Sequence, residues 1–375
     1  MTTLTKTYIE KNIPMLGFGI MRLPTLGDKT IDMPRFIEMV DHYMSNGMNY
    51  FDTAYMYHNN LSENAVKTAV VDRYPREAFK IATKLPIWSC EAPSDMNRIF
   101  NEQLERLGVD YVDFYMFHAM NTANDLKVIE FGGYEFIKEL KAQGKVRHIG
   151  ISFHGNAESL DKMFRENPEL EFAQLQINYV DWQGSAKEFY DITKKHGKQV
   201  IIMEPVRGGA LSNLPKELEG RLKAADPAAS IASWALRWCG TLEADERGVM
   251  TTLSGMSTER QMEENVELFK NFKPLTPKET EMLAQVAEGL RKYPKIDCTE
   301  CKYCNCPIEI PIADIFKQYN RFVQRKNVGS FKNEYNKFTK RGDACAECGK
   351  CEAICPQGVK VVEQLRYVDK TFTEL

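Results

Sequence analysis

The chain lacks any unbroken apolar run of the roughly 18 residues that a membrane-crossing helix needs. It also lacks an excess of either charge. Lysine and arginine total 49 against 52 aspartates and glutamates, a net of −3, so no broad basic footprint for nucleic acid or an anionic membrane is present. The opening stretch, MTTLTKTYIEK, has no apolar core of a secretory signal, and a cytoplasmic location is expected from that. No Gly-x-Gly-x-x-Gly follows the first β-rich run, which weighs against a doubly wound dinucleotide-binding sheet. Cysteine is scarce before residue 298: only Cys90 and Cys239 occur there, and each reads as a small buried hydrophobe.

What is present over residues 15–270 is an alternation of two textures. Short β-rich runs (MLGFGIM, NYFDT, FKIATK, YVDFYMFH, VRHIGIS, EFAQLQI, KQVIIM and GVMTTLSG) are separated by stretches with helical spacing. In SDMNRIFNEQLERLG, Met96, Ile99, Phe100, Leu104 and Leu107 recur at steps of three or four, and Gly108 suits the stop. In DPAASIASWALRW, Asp226 is expected to cap a helix with Pro227 in its first position. Eight strands alternating with helices fit a (β/α)8 barrel, with the open doubly wound sheet as the rival. The texture changes near Pro274. A linker and helix lead into the cysteine-rich tail, so a barrel over 1–273 and a second domain over 274–375 are expected.

Three consecutive β-rich runs end in chemically complementary side chains: Asp52, Lys84 and His118, with Tyr57 in the loop just after Asp52. Strand ends at one mouth are where a parallel barrel builds its site. A phenol is a poor acid at neutral pH, and an adjacent ammonium favours its ionised form. Asp52 can hold Lys84 in place, and His118 can hydrogen-bond at the same point. Together they form a proton donor aimed at an oxygen that gains charge. Taken singly, each residue reads as loop packing, a solvated strand end, a helix cap or a hydrogen-bonded core histidine. Tyr55, Trp88 and Met120 follow strand ends and are expected to line an apolar pocket; Tyr179 and Trp182 fit either pocket or packing.

These stretches, in order, resemble the aldo-keto reductases: GFGIMRLP, GMNYFDTAYMYHNNLSE, IATK, RLGVDYVDFYMFH, GKVRHIGIS, WALRW and LSGMSTERQMEEN, over residues 12–270. The resemblance implies a (β/α)8 barrel binding NADP(H) or NAD(H) across its mouth and reducing a small carbonyl substrate. Tyr57 would be the general acid, tuned by Lys84 and Asp52, with His118 orienting the carbonyl. For the carboxamide of the nicotinamide it implies Ser152 and Gln174, with Gln176 as the rival on the same strand face; Phe153 stands where the family often has Asn. Pro205, Val206, Arg207, Gly208 and Gly209 match the loop that wraps the diphosphate. Glu264 and Asn265 match the adenosine site. Gly255 and Gln261 stand where many NADPH-using members carry a lysine and an arginine, and Arg260 lies beside them as a substitute cation.

The remaining eight cysteines lie between Cys298 and Cys355. The second run is Cys345-x2-Cys348-x2-Cys351-x3-Cys355-Pro, the bacterial ferredoxin spacing for a [4Fe–4S] cluster. The first has Cys298, Cys301 and Cys304 at the same steps, then Cys306 after a single residue. Two all-cysteine zinc sites are the alternative, and the Cys-Pro endings favour iron–sulfur. Because the last cysteine of such a run commonly ligates the other cluster, an interlaced pairing is expected. Cys298, Cys301, Cys304 and Cys355 would hold one of two [4Fe–4S] clusters, and Cys306, Cys345, Cys348 and Cys351 the other. The chain between the runs reads as helical, so the tail is expected to be a mainly α-helical ferredoxin-like module. A hydride carries two electrons and a cluster one. The clusters are therefore structural, or they serve an electron-transfer protein partner or a flavin. The competing functional reading is a nucleotide-binding sensor or subunit of an electron-transfer assembly.

Overall fold

The computed structural model describes residues 9–374 except 11, 28–29, 245–247 and 326–327. The opening stretch discussed for a signal thus lies outside the described residues but for Ile9 and Glu10. Eight strands form: β1 (Leu16–Gly19), β2 (Tyr50–Asp52), β3 (Lys80–Leu85), β4 (Val112–Met120), β5 (Val146–Phe153), β6 (Phe172–Gln176), β7 (Gln199–Met203) and β8 (Val249–Ser254). Each pairs in parallel with the next and β8 pairs with β1, so the sheet closes. The expected barrel forms, and the open doubly wound sheet does not. β2, β3 and β4 are buried along their whole length, as strands covered on both faces must be.

Period-two alternation sorts each strand into an inner and an outer face. Tyr50, Ala82, Phe114, Met116, Phe172 and Ile201 pack together as an apolar plug inside the barrel. On the outer face Phe18, Tyr43 and Phe51 stack as an aromatic cluster, with Tyr43 donating its hydroxyl hydrogen to the Leu16 carbonyl at 2.7 Å. β5 and β6 approach so closely at Gly150 that a Cβ there would sit 2.5 Å from the Phe172 carbonyl oxygen.

The helix Ser94–Leu107 runs as its spacing indicates, and Gly108 ends it. The expected cap at Asp226 is corrected. The Asp226 carboxylate does accept from the Ala228 and Ala229 amides, but these close a turn. The helix begins only at Ile231, where Ser230 Oγ accepts from the Ser233 amide. Asp226 competes for the backbone locally, and the helix nucleates one serine later.

The chain divides into two compact units. One comprises the chain up to Pro205 with Ala235–Thr276, and holds all eight strands. The other comprises Val206–Trp234 with the chain from Pro277 onward. The second unit is helical: Lys216–Ala225, Pro277–Arg291, Ile312–Arg325, Val328–Asn336 and Val361–Glu374 are its main helices. Ile310, Ile315, Phe316, Tyr335, Leu365 and Phe372 are among its core residues, and Cys298, Cys304, Cys306, Cys345 and Cys355 pack against that core. No helix among the described residues is long and apolar enough to cross a membrane.

Gly150→Ala should force β5 and β6 apart and destabilise the chain by about 1–3 kcal/mol. Urea denaturation followed by circular dichroism reads this as a lowered midpoint; an unchanged midpoint would contradict the strand spacing described.

Candidate active site

Parity along the strands explains how the polar residues meet. Tyr50 and Asp52, Ala82 and Lys84, Met116 and His118, Phe172 and Gln174 are each two residues apart, so each pair shares a face. The apolar plug takes the first member of each pair, and the second lies one layer nearer the C-terminal mouth. Ser152 stands opposite Gln174 in the β5–β6 register. Five successive strands thus deliver Asp52, Lys84, His118, Ser152 and Gln174 to one level of the barrel.

Lys84 and Asp52 form a buried ion pair, Nζ to Oδ1 at 2.5 Å, and Lys84 also donates to the Thr53 carbonyl at 2.7 Å. Lys84 is 1% exposed and Asp52 3%. Burial pulls the Lys84 ammonium below the ordinary lysine range and raises the Asp52 carboxyl, and in each case the partner's charge opposes the shift. The ammonium sits 5.0 Å from the centre of the Tyr57 ring. The imidazole of His118 lies edge-on to the same ring, 5.8 Å between centres, and Trp88 flanks it at 5.2 Å. Burial, and then the Lys84 charge, hold His118 well below the usual histidine range, so it is neutral at physiological pH. Gln174 Nε2 donates to the second Asp52 oxygen at 3.3 Å.

The loop after Tyr57 turns through three consecutive left-handed residues, His58, Asn59 and Asn60, with φ of 51°, 53° and 69°. Asparagine tolerates that region better than most side chains. His58 Nε2 accepts from the Leu23 amide at 3.0 Å, which ties this loop to the one after β1. β3 and β4 run past their expected ends, to Leu85 and Met120. In β4 the register shifts between Phe117 and Met120, and Ala119 takes φ of 49°. That irregularity turns the strand just beyond His118.

Behind Lys84 lies a network that the sequence did not reveal. Glu63, fully buried, accepts from Thr83 Oγ1 at 2.7 Å and Gln103 Nε2 at 2.9 Å. Gln103 Nε2 also donates to the Lys84 carbonyl at 3.0 Å, and its oxygen accepts from the Tyr115 hydroxyl. The available signal was Gln103 itself, a polar residue on the apolar stripe of its helix.

Of the residues expected to line a pocket, Trp88 lies beside His118. Tyr55 donates to Glu102 at 2.6 Å, with the Arg106 guanidinium over its ring at 4.1 Å, so it is tied to a helix. Met120 is fully buried, and Tyr179 is 3% exposed. Trp182 packs against Tyr190 and Trp238.

Among the residues expected at the cofactor, Gln174 Oε1 is buried with no hydrogen-bond partner among the described residues. An acceptor in that state fits the amide hydrogens of a carboxamide. Ser152 is also buried, and its hydroxyl contacts Met203 Sδ at 4.0 Å. Gln176 is turned away into a hydrogen bond with Asp181. Gln261 Oε1 accepts from the Ser257 amide at 2.8 Å, and Asn265 donates to Ser254 Oγ at 3.1 Å. Glu264 pairs with Arg260 at 2.7 Å, so that substitute cation is already partnered. Gly255 is exposed, and the stem of Arg22 lies 3.5 Å from where a side chain would start. Pro205 precedes, and Val206, Arg207 and Gly208 open, a turn closed by the Gly209 amide on the Val206 carbonyl at 3.0 Å.

A family model for the aldo/keto reductase family matches residues 15–288. The chain belongs to the aldo/keto reductase family. It is therefore an oxidoreductase of that type. An aldo-keto reductase of Glycine max is 28% identical over 218 residues, 54% of this chain and 60% of that relative. The holo form of an aldo-keto reductase from Bacillus halodurans superimposes with a TM-score of 0.60 at 25% identity, covering 73% of this chain and 92% of that one. An aldo-keto reductase of Klebsiella pneumoniae in complex with NADPH, at 18% identity, shares the fold with a TM-score of 0.58 over 73% and 91% of the two chains.

A second family model, a 4Fe-4S dicluster domain, matches residues 297–359. Cys306, Cys345, Cys348 and Cys351 line one cavity together with Ile310 and Leu365. Burial pushes the Cys298 and Cys304 thiols up to about 12, with smaller raising contributions from Cys304 and Cys355 on Cys298 and from Cys301, Cys355 and Cys351 on Cys304. Among the described residues no three His, Cys, Asp or Glu side chains close tightly enough to hold a single ion.

Asp52→Ala strands a buried ammonium and should cost about 3–5 kcal/mol of stability. Denaturant unfolding measures it; a cost under about 1 kcal/mol would mean the pair is solvated rather than buried.

Proposed function

We propose that this protein reduces an aldehyde or ketone to an alcohol with NAD(P)H, and that Tyr57 donates the proton. The observation that carries the reading is the buried Lys84–Asp52 pair beneath the Tyr57 ring. A reduced nicotinamide, when bound, supplies the hydride. Tyr57 gives its hydroxyl proton to the carbonyl oxygen as that oxygen gains charge. Lys84 stabilises the negative charge left on the phenol, in a site dry enough for the interaction to matter. Asp52 keeps Lys84 charged and fixed against its tendency to lose a proton on burial. His118, neutral, offers a hydrogen bond that orients the carbonyl without competing as an acid. Gln174 and Ser152 hold the carboxamide, and the unsatisfied Gln174 acceptor supports that assignment. Val206–Gly208 and Glu264 with Asn265 take the diphosphate and the adenosine. Tyr57→Phe should lower the carbonyl reduction rate by about 10²–10⁴-fold while dinucleotide binding is kept. Wild-type turnover in that variant would refute the proton assignment.

The same reading gives the tail two [4Fe–4S] clusters with a chiefly structural role. Metal-fixed thiolates hold small units whose own cores are modest, and the cysteines here pack on such a core. Anaerobically purified protein should carry about eight irons per chain, and Cys306→Ser about four. Unchanged iron in that variant would remove Cys306 from the ligand set.

A further inference from the structure

We infer that the segment bearing the first cysteines also seats the loop that follows β7, making Asp297 and Thr299 positioning residues for the dinucleotide. This rests on the reading that Arg207 and Gly208 meet the diphosphate. Arg207, Gly208 and Gly209 take φ of 49°, 63° and 91° in succession. For a non-glycine residue such as Arg207 this conformation persists only where surrounding structure holds it. The surrounding structure is the cysteine-bearing segment of the same compact unit. A Cβ on Gly208 would lie 2.4 Å from the Thr299 carbonyl oxygen and 2.9 Å from its carbonyl carbon, so the two backbones are in direct contact. Arg207 Nη2 donates to Asp297 Oδ1 at 3.1 Å. Thr299 is 3% exposed and lies between Cys298 and Cys301.

The geometry has one consequence for the cofactor. Fixing Cys298 and Cys301 on a cluster fixes the Thr299 carbonyl and the Asp297 carboxylate, and these fix the strained turn with its guanidinium already oriented. A loop ordered before the ligand arrives binds it more tightly than one ordered on arrival. Asp297 is 60% exposed, so its ion pair alone contributes only a few-fold. The larger part comes from the backbone seat.

The test uses the full chain, purified anaerobically with its clusters. Dissociation constants for NADPH and NADH are read from nicotinamide fluorescence, and the exchange of amides 206–213 from mass spectrometry. Arg207→Ala should weaken binding roughly ten-fold through loss of a charge-assisted bond. Asp297→Ala should weaken it about two- to five-fold, raise KM for the dinucleotide without changing kcat, and speed exchange in the loop. Asp297→Glu should restore most of the affinity. Cys298→Ser, which removes a first-run ligand, should weaken binding more than Asp297→Ala while exchange in the barrel strands stays slow. If Arg207→Ala leaves affinity unchanged, the diphosphate reading fails and the inference with it. If Arg207→Ala weakens binding but Asp297→Ala and Cys298→Ser change neither affinity nor loop exchange, the seat alone is refuted.

Discussion

A buried ion pair, Lys84 with Asp52, is the constraint on which the barrel mouth depends. Two charges taken out of water are stable together and costly apart. Each therefore fixes the other, and both fix their strands. Lys84 is pinned from the front by Asp52 and the Thr53 carbonyl, and its own carbonyl is held from behind by Gln103. Glu63 and Thr83 complete the backing. The result is a cation with almost no freedom to leave the face of Tyr57.

Much of this was legible because a parallel barrel converts sequence position into depth. A residue two places beyond a core position, at the end of a β-rich run, must lie one layer higher on the same face. Asp52, Lys84 and His118 all obey that rule, which is why three separate segments announce one site; Gln174, in the middle of its run, was legible only through the family resemblance. The ferredoxin spacing was legible for a similar reason, since a two-residue gap lets neighbouring thiolates face a common centre.

What was hidden depended on long-range contact or on local competition. Gln103 looks like an ordinary helix residue until its helix is packed on β3 and β4. Arg260 looked available until its turn brought it to Glu264. Tyr55 had the composition of a pocket wall, but Glu102 and Arg106, four residues apart on one helix, claim it. Asp226 is a good cap by type, and the chain spends it on a turn. In each case the residue type was read correctly and the partner was not visible. The cysteines were the converse. The short gap before Cys306 reads as a departure from the spacing, and in the fold Cys306 lines a cavity together with Cys345, Cys348 and Cys351.

The three left-handed residues after Tyr57 have a meaning for how this enzyme can vary. A reversal that tight has no slack to distribute, and His58 anchors it to a neighbouring loop. Substitutions that keep asparagine-like backbone freedom leave the phenol where it is. A single inserted or deleted residue would swing it off the ammonium, so this bend tolerates a change of composition far better than a change of length.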